Sequence, residues 1–130
     1  MKERVLPTLW LIGLSIAMNV LGQTAIKLGV NQPESEALTA ADPISVVSLV
    51  VRSPMIMLGL LMHVVGALAW IVVLSRLDLS YAYPFVAVNF VLITVVSQVV
   101  FSETVPTLRW LGIALVCVGL VLVALSAKAG

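Results

Sequence analysis

The sequence predicts an all-α integral membrane protein with four transmembrane helices, and three observations lead to that fold class. The 130 residues are 62% hydrophobic and 10% charged, with a mean hydropathy of +1.19. A soluble domain of this size has too little interior to hide so much apolar surface. Four apolar segments each approach the length of about 20 residues that crosses a bilayer as a helix. Proline or charged residues separate most consecutive segments.

The four predicted helices follow in order along the chain and form one transmembrane domain over residues 1–130. They cover about residues 6–30, 55–75, 81–101 and 108–127. Ser53-Pro54 precedes the second helix, and Pro106 precedes the fourth. Aromatic residues that favour the membrane interface fall near the predicted helix ends. These are Trp10, Trp70, Tyr81, Tyr83 and Trp110.

The longest connection, between the first and second predicted helices, is expected to contain a short interfacial helix over about residues 43–52. Asp42 is a favourable N-cap residue and Pro43 a favourable first helical residue. One face of this segment carries Ser45, Ser48 and Arg52, and the other carries valine and leucine. Ten residues are too few to span a bilayer, so we expect an amphipathic helix at the interface. A loop with an apolar patch is the alternative.

The predicted topology depends on the basic residues outside the apolar segments. One side would carry Lys2, Arg4, Arg76 and Lys128, and the other Lys27, Arg52 and Arg109. Four basic residues on the side of the N-terminus against three on the other side favour a cytoplasmic N-terminus. Because the difference is one residue, insertion in both orientations remains open. The first apolar run continues past the usual length of a signal peptide without a convincing cleavage site, so we expect it to be retained.

Polar residues recur every fourth position in the first predicted helix: Ser15, Asn19, Gln23 and Lys27. At helical pitch they share one slowly drifting face, which indicates a protein-lined or watery interior. Ser15 is expected to hydrogen-bond between helices. For Asn19 and Gln23 we favour a substrate cavity over helix-to-helix hydrogen bonding. Lys27 either extends to the membrane surface or binds a phosphate.

The later helices add three further candidates. Asn89 lies near the middle of the third predicted helix, where its amide should face protein or a cavity rather than lipid. Gly112 and Gly119, seven residues apart on one face of the fourth helix, allow close contact with another helix and suggest dimerisation. His63 stands alone in the second helix, where a structural hydrogen bond between helices is the expected role.

Catalytic and metal-binding functions are not expected. No predicted helix contains a carboxylate, and the chain has one histidine and one cysteine, Cys117. No cluster has metal-ligand spacing, so we predict neither an enzyme nor a bound metal or cofactor. The net charge of +1 does not suggest a nucleic-acid partner.

Five motifs of the sequence together point to a known family. They are Asn19-Val20-Leu21-Gly22-Gln23-Thr24-Ala25-Ile26-Lys27, Tyr81-Ala82-Tyr83-Pro84, Ser102-Glu103-Thr104-Val105-Pro106, Trp110-Leu111-Gly112 and the pair Gly112 and Gly119. With them the chain resembles the four-helix small multidrug resistance branch of the drug/metabolite transporter superfamily. The resemblance implies an antiparallel dimer. Two departures argue against proton-coupled drug export. Asn19 stands where that branch has its essential glutamate, and Val86 stands where it has a tryptophan.

Three shorter motifs point to one group within this superfamily: Gly22-Gln23, Ala82-Tyr83-Pro84 and Asn89-Phe90. By these motifs the chain more closely resembles the aminoarabinose-phosphoundecaprenol flippase subunits. This resemblance implies a flippase that moves a polyprenyl-phosphate-linked sugar or aminosugar across the bacterial cytoplasmic membrane. It would work by alternating access of a homodimer or a paralogous heterodimer.

We expect the substrate head group in a polar cleft lined by Asn19, Gln23, Tyr83 and Asn89, while the polyprenyl tail stays among the membrane lipids. The phosphate would lie near Lys27, with Arg52 or Arg109 on the same side. Two alternatives remain open. One is an exporter of small organic solutes or cations, and the other is an accessory subunit that transports nothing alone.

Overall fold

The computed structural model describes residues 2–33 and 42–129, which form six α-helices and one 3-10 turn. They are α1 (Lys2–Val30), α2 (Pro43–Arg52), α3 (Pro54–Arg76), α4 (Leu79–Ala82), a 3-10 turn (Tyr83–Val86), α5 (Ala87–Val100) and α6 (Thr107–Ala129). The part of the first connection between residues 34 and 41 lies outside the described residues.

The predicted fold class is confirmed. Among the residues that the structure describes, four helical segments are long and apolar enough to cross a membrane: Leu6–Val30, Pro54–Arg76, Leu79–Val100 and Thr107–Ser126. A short apolar helix, α2, lies between the first and second segments. The chain is therefore a multi-pass membrane protein. Helix α1 begins at Lys2, before the apolar segment that starts at Leu6.

The third span is interrupted, which the apolar pattern did not predict. The short helix α4 passes into the 3-10 turn before α5 begins. Pro84 sits within that turn and has no backbone N–H to donate to the preceding helical turn. A tighter 3-10 geometry is a common way for a helix to pass such a point. The interruption ends just before Asn89.

Helices α1 and α3 form the most extensive contact in the structure, and glycines allow it. A Cβ at Gly22 would lie 2.9 Å from the carbonyl oxygen of Gly59, and a Cβ at Gly59 would lie 2.6 Å from that of Gly22. Gly66 also lies close to α1, since a Cβ added at this residue would lie 3.1 Å from Cβ of Met18. Small residues permit this backbone approach between membrane helices.

The buried core lies at one end of this pair. Leu11 and Ile12 of α1 pack with Val73 of α3, and Leu77 and Ala82 close the cluster from the connection to α4. At the other end, Ser53 caps α3, because its hydroxyl accepts a hydrogen bond of 3.4 Å from the N–H of Ile56. These contacts make α1 and α3 the central pair of the structure, against which α2, α4 and α5 pack.

Helix α2 packs against the start of α3 through buried Leu49, while Ile44, Val47 and Val51 are exposed. Asp42 forms its N-cap, as the sequence predicted: one carboxylate oxygen accepts a 2.8 Å hydrogen bond from the N–H of Ser45. That this helix lies at the membrane interface remains a prediction.

Helix α6 is the most peripheral of the four long helices. None of the residues in its apolar window is buried, and its contacts are with α5 and the α4 region. Adding a Cβ at Gly112 or Gly119 would meet no atom within 4 Å. Within one chain, this face is open to lipid or to another subunit.

Candidate functional site

Two cavities lie along the interface between α1 and α5. The first, which we call the ionic cavity, has a volume of about 390 Å³ and lies where α1 ends and the α5–α6 loop begins. Its polar lining residues are Gln23, Thr24, Lys27, Asn31, Ser97 and Glu103. The second, the central cavity, has a volume of about 370 Å³ and also touches α3. It is lined by Ser15, Ile16, Asn19, His63, Gly66, Ala67, Trp70, Val86 and Asn89.

An ion pair defines the ionic cavity. The Lys27 ammonium donates to Oε1 of Glu103, and the Ser97 hydroxyl donates to Oε2 of the same carboxylate. The Lys27 ammonium also lies 5.2 Å from the ring centre of Phe101, within the range of a cation–π contact. The Lys27 and Glu103 side chains keep 44% and 35% of their surface exposed, so the pair remains accessible to a ligand.

The conformation of the loop after α5 positions Glu103 beside the ionic cavity. Ser102 has a φ of +53°, which non-glycine residues adopt rarely. This backbone turn brings the N–H of Glu103 to 3.1 Å from the carbonyl oxygen of Ser97. Glu103 is therefore held to Ser97 through both its backbone and its carboxylate.

The carboxylate of Glu103 is ionised at neutral pH. Hydrogen bonds from Lys27 and then from Ser97 lower its pKa below its ordinary value of 4.5, and the positive charges of Lys27 and Arg109 add to this effect. Partial burial opposes the shift and is outweighed. The ionic cavity thus contains one positive and one negative group, whose charges cancel.

The central cavity differs because its polar lining lies near the middle of the spans and contains no carboxylate, lysine or arginine. Oδ1 of Asn89 is buried and has no hydrogen-bond partner among the described residues. His63 Nδ1 lies 2.9 Å from the carbonyl oxygen of Gly59, and a carbonyl can only accept, so Nδ1 carries the proton. In the neutral imidazole, Nε2 is then an acceptor. Oδ1 of Asn89, and Nε2 of His63 when the imidazole is neutral, are therefore the acceptors that the cavity offers to a ligand that donates hydrogen bonds.

The structure divides the predicted polar cleft between the two cavities. Asn19 and Asn89 line the central cavity, whereas Gln23 and Lys27 line the ionic cavity. Ser15 joins two helices as expected, because its hydroxyl donates a 3.0 Å hydrogen bond to the carbonyl oxygen of Gly66. His63, in contrast, hydrogen-bonds within its own helix rather than between helices.

The remaining predicted residues lie outside these two cavities. Tyr83 is 53% exposed on the 3-10 turn and is not among the residues that line either cavity. Arg52 is exposed at the end of α2. Arg109 is exposed in α6, close enough to influence the Glu103 carboxylate. This confirms that Lys27 and Arg109 lie at the same end of the helices, as the topology predicted.

Sequence reasoning missed the roles of Glu103 and Ser97. Glu103 was noted as part of a loop motif only, because it is 76 residues from Lys27 and outside every predicted helix. The sequence did contain one indication of this pairing. Glu103 directly follows the third predicted span, at the same end of the molecule where Lys27 was expected. His63 was treated as structural, although it also lines the central cavity.

Comparison with known proteins identifies the family. A probable 4-amino-4-deoxy-L-arabinose-phosphoundecaprenol flippase subunit ArnE from Pseudomonas fluorescens (strain Pf0-1) is 37% identical over 115 residues, which cover 88% of this chain and 95% of the relative. The chain belongs to this family of flippase subunits. An ArnE from Pseudomonas aeruginosa (strain UCBPP-PA14) is 39% identical over 113 residues, covering 87% of this chain and 93% of the relative.

A third family member, from Pseudomonas syringae pv. syringae (strain B728a), matches a shorter stretch. It is 56% identical over 54 residues, which cover 42% of this chain and 50% of the relative. No family model and no solved structure matches the chain. Membership of the flippase-subunit family confirms the resemblance drawn from Gly22-Gln23, Ala82-Tyr83-Pro84 and Asn89-Phe90.

Proposed function

We propose that this chain is a non-enzymatic flippase subunit that carries a polyprenyl-phosphate-linked aminosugar across the bacterial cytoplasmic membrane. Its relatives are named as flippase subunits for 4-amino-4-deoxy-L-arabinose-phosphoundecaprenol. The observation that carries the proposal is the pair of cavities on the α1–α5 interface. One contains an accessible cation at the end of the helices, and the other contains polar groups near their middle, none of them a carboxylate, lysine or arginine.

The first step is capture of the phosphate by Lys27. A phosphodiester oxygen forms a strong charge-assisted hydrogen bond with an ammonium group. In the structure, Lys27 is paired with Glu103, and each of the two side chains is more than a third exposed. Exposed ion pairs contribute little net free energy to stability. A phosphate can therefore replace the Glu103 carboxylate at Lys27. Gln23 lies one helical turn away and supplies an amide to the same head group.

Arg109 assists this capture through its positive potential, which already acts on the neighbouring Glu103 carboxylate. Arg52 is the less supported of the two arginines, because it is exposed on α2 and does not line the ionic cavity. Tyr83 is likewise less supported than Asn19 and Asn89. Its exposed position on the 3-10 turn fits a role only where a second subunit extends the cleft.

The second step is passage of the sugar through the central cavity. Sugar hydroxyls donate to Oδ1 of Asn89 and to Nε2 of His63, and the Asn19 amide adds a further polar contact. An unsatisfied acceptor buried among apolar side chains costs free energy, so a ligand that donates to it gains that amount on binding. Apolar side chains of α5 on either side of Asn89 in the sequence, Val88 and Phe90, are exposed, and the polyprenyl tail can remain in lipid against them.

The transport cycle requires a second subunit. Each cavity lies between a few helices of one chain, and α6 presents an open face that includes Gly112 and Gly119. We place the contact with a homodimeric or paralogous partner on this face, and alternating access of the resulting dimer would expose the cavities to either side in turn. No span contains an aspartate or glutamate, so supply and removal of the substrate would drive transport rather than protons.

Flipping by reconstituted protein tests this proposal. The chain is placed in liposomes, alone and together with a paralogous subunit, and movement of aminoarabinosyl-phosphoundecaprenol to the outer leaflet is measured. We expect transport that Lys27→Ala reduces strongly. The matched control is Arg76→Ala, which removes an exposed cation at the other end of α3 and should leave transport unchanged. Absence of lipid transport by both preparations would contradict the proposal and favour the accessory-subunit or solute-exporter alternatives.

A further inference from the structure

The ionic cavity contains an anion as well as a cation, and a simple phosphate site needs only the cation. The Glu103 carboxylate faces the same space as the Lys27 ammonium. If an anionic lipid displaced Glu103 from Lys27, two negative groups would be left close together. Like charges at short distance are unfavourable, so Glu103 would oppose an anion that brings nothing else.

The structure nevertheless positions this carboxylate firmly. The backbone turn at Ser102 and two hydrogen bonds with Ser97 hold Glu103 against the cavity without help from Lys27. The bond from the Ser97 hydroxyl to Oε2 involves a different carboxylate oxygen from the bond to Lys27, so loss of the Lys27 contact does not require its loss. The Glu103 carboxylate would repel an anionic ligand, yet the unusual backbone conformation of Ser102 holds it in the site. Backbone strain of this kind often marks a residue with a functional role.

We propose that Glu103 selects for the amino group of the substrate, so that Lys27 and Glu103 together recognise a zwitterionic head group. This inference rests on the proposed function, since it assigns the second charge of the same substrate. When the head group enters, its phosphodiester takes the Lys27 ammonium and its ammonium takes the Glu103 carboxylate. The internal ion pair is thereby exchanged for two intermolecular ones, and no charge is left unpaired.

The cavity dimensions and lining agree with this assignment. A volume of about 390 Å³ falls in the range of small-molecule sites, and a pentose is a small ligand within that range. The apolar part of the wall, which includes Ile93, Val96 and Phe101, can contact the carbon skeleton of the sugar beside the two charged groups. Phe101 also lies beside the cation site, where its ring can contact an ammonium of either the protein or the ligand.

Selectivity between two lipids tests the role of Glu103. One lipid carries the free amine of the aminosugar, and the other carries the same sugar with the amine acetylated, which removes its charge. We expect wild-type protein in liposomes to transport the free-amine lipid faster. Glu103→Gln should reduce that preference by about tenfold, which corresponds to the loss of one hydrogen bond between charged groups. Transport of the acetylated lipid should be unchanged or faster.

Two further variants distinguish a loss of selectivity from a loss of folding. Glu103→Asp keeps the charge and should retain part of the preference, whereas Ser97→Ala removes the hydroxyl that positions the carboxylate and should weaken it. Thermal unfolding of each purified variant measures its folding separately. If the wild type transports neither lipid, the proposed function fails. If it transports both equally, or if Glu103→Gln keeps the full preference, the function stands and the assignment of Glu103 is overturned.

Discussion

Gly22 of α1 and Gly59 of α3 bring the two helix backbones into contact, with no space for a methyl group on either side. A Cβ at residue 59 would lie 2.6 Å from the backbone oxygen of Gly22 and 3.0 Å from the backbone nitrogen of Ile26. Backbone atoms cannot turn aside as a flexible side chain can. This contact fixes α1 against α3, and with it the position of Asn19 and His63 on the central cavity.

The first prediction concerns this contact. Gly59→Ala should destabilise the protein by about 1–3 kcal/mol, the usual cost of overpacking a close interface. Thermal unfolding in detergent or lipid nanodiscs measures the change. Gly13→Ala is the matched control, because a Cβ at Gly13 meets no atom within 4 Å and a helix tolerates alanine well. Equal stability of the two variants would contradict the packing described for α1 and α3.

The second prediction separates binding from folding at Asn89. Asn89→Leu removes a buried acceptor that has no partner among the described residues, so stability should be unchanged or rise by about 1–3 kcal/mol. Transport of the lipid-linked aminosugar should nevertheless fall at least severalfold. Thr94→Val on the same helix is the control, since the Thr94 hydroxyl bonds to the carbonyl oxygen of Phe90 and lines neither cavity. A large loss of stability in Asn89→Leu would indicate a structural role instead.

The third prediction concerns pH and the ion pair of the ionic cavity. Because the pKa of Glu103 is lower in the folded protein than its ordinary value of 4.5, the pair stabilises the protein above that value. Its contribution is lost as the pH falls through the lower folded pKa. The difference in melting temperature between wild type and Glu103→Gln should therefore be constant from pH 5 to about 8 and shrink in more acidic buffer. A difference that grows on acidification would show the opposite shift.

The fourth prediction concerns the open face of α6. Gly112→Leu combined with Gly119→Leu should leave the fold of one chain intact, because both positions face open space. The same double variant should weaken subunit association if this face contacts a partner closely. Cross-linking in membranes and size-exclusion chromatography in detergent measure the association. Undiminished association in a correctly folded variant would place the subunit contact elsewhere.

Much of the fold was predictable because the bilayer imposes its thickness on the sequence. The helix ends agree with the predicted ones to within a few residues, since apolar length and breakers such as Pro54 and Pro106 mark them directly. The 3-10 turn was not predicted, because proline near a helix start is usually tolerated without one. Asn19 and Asn89 were recognised as polar groups that need a protein environment, and they do line one cavity.

Contacts between distant segments account for what the sequence did not reveal. The spacing of seven residues in Gly112 and Gly119 was interpreted as a contact face. Gly22 and Gly29, and Gly59 and Gly66, have the same spacing and lie in the α1–α3 contact instead. A spacing of seven residues between glycines shows that one helix face lacks side chains at two positions. It does not show which helix or subunit packs against that face. For the same reason, Glu103 as the partner of Lys27 emerged only with the structure.

Substrate protection of a cysteine beside Lys27 tests the central claim most directly. In a Cys117→Ser background, which removes the single native thiol, Ile93→Cys places a thiol on the wall of the ionic cavity. Val100→Cys places one near the same end of α5 but outside the lining residues. We predict that aminoarabinosyl-phosphoundecaprenol slows maleimide labelling at residue 93 and not at residue 100, while undecaprenol without the head group protects neither. Equal labelling of residue 93 with and without the lipid-linked aminosugar would contradict a head-group site at the ionic cavity.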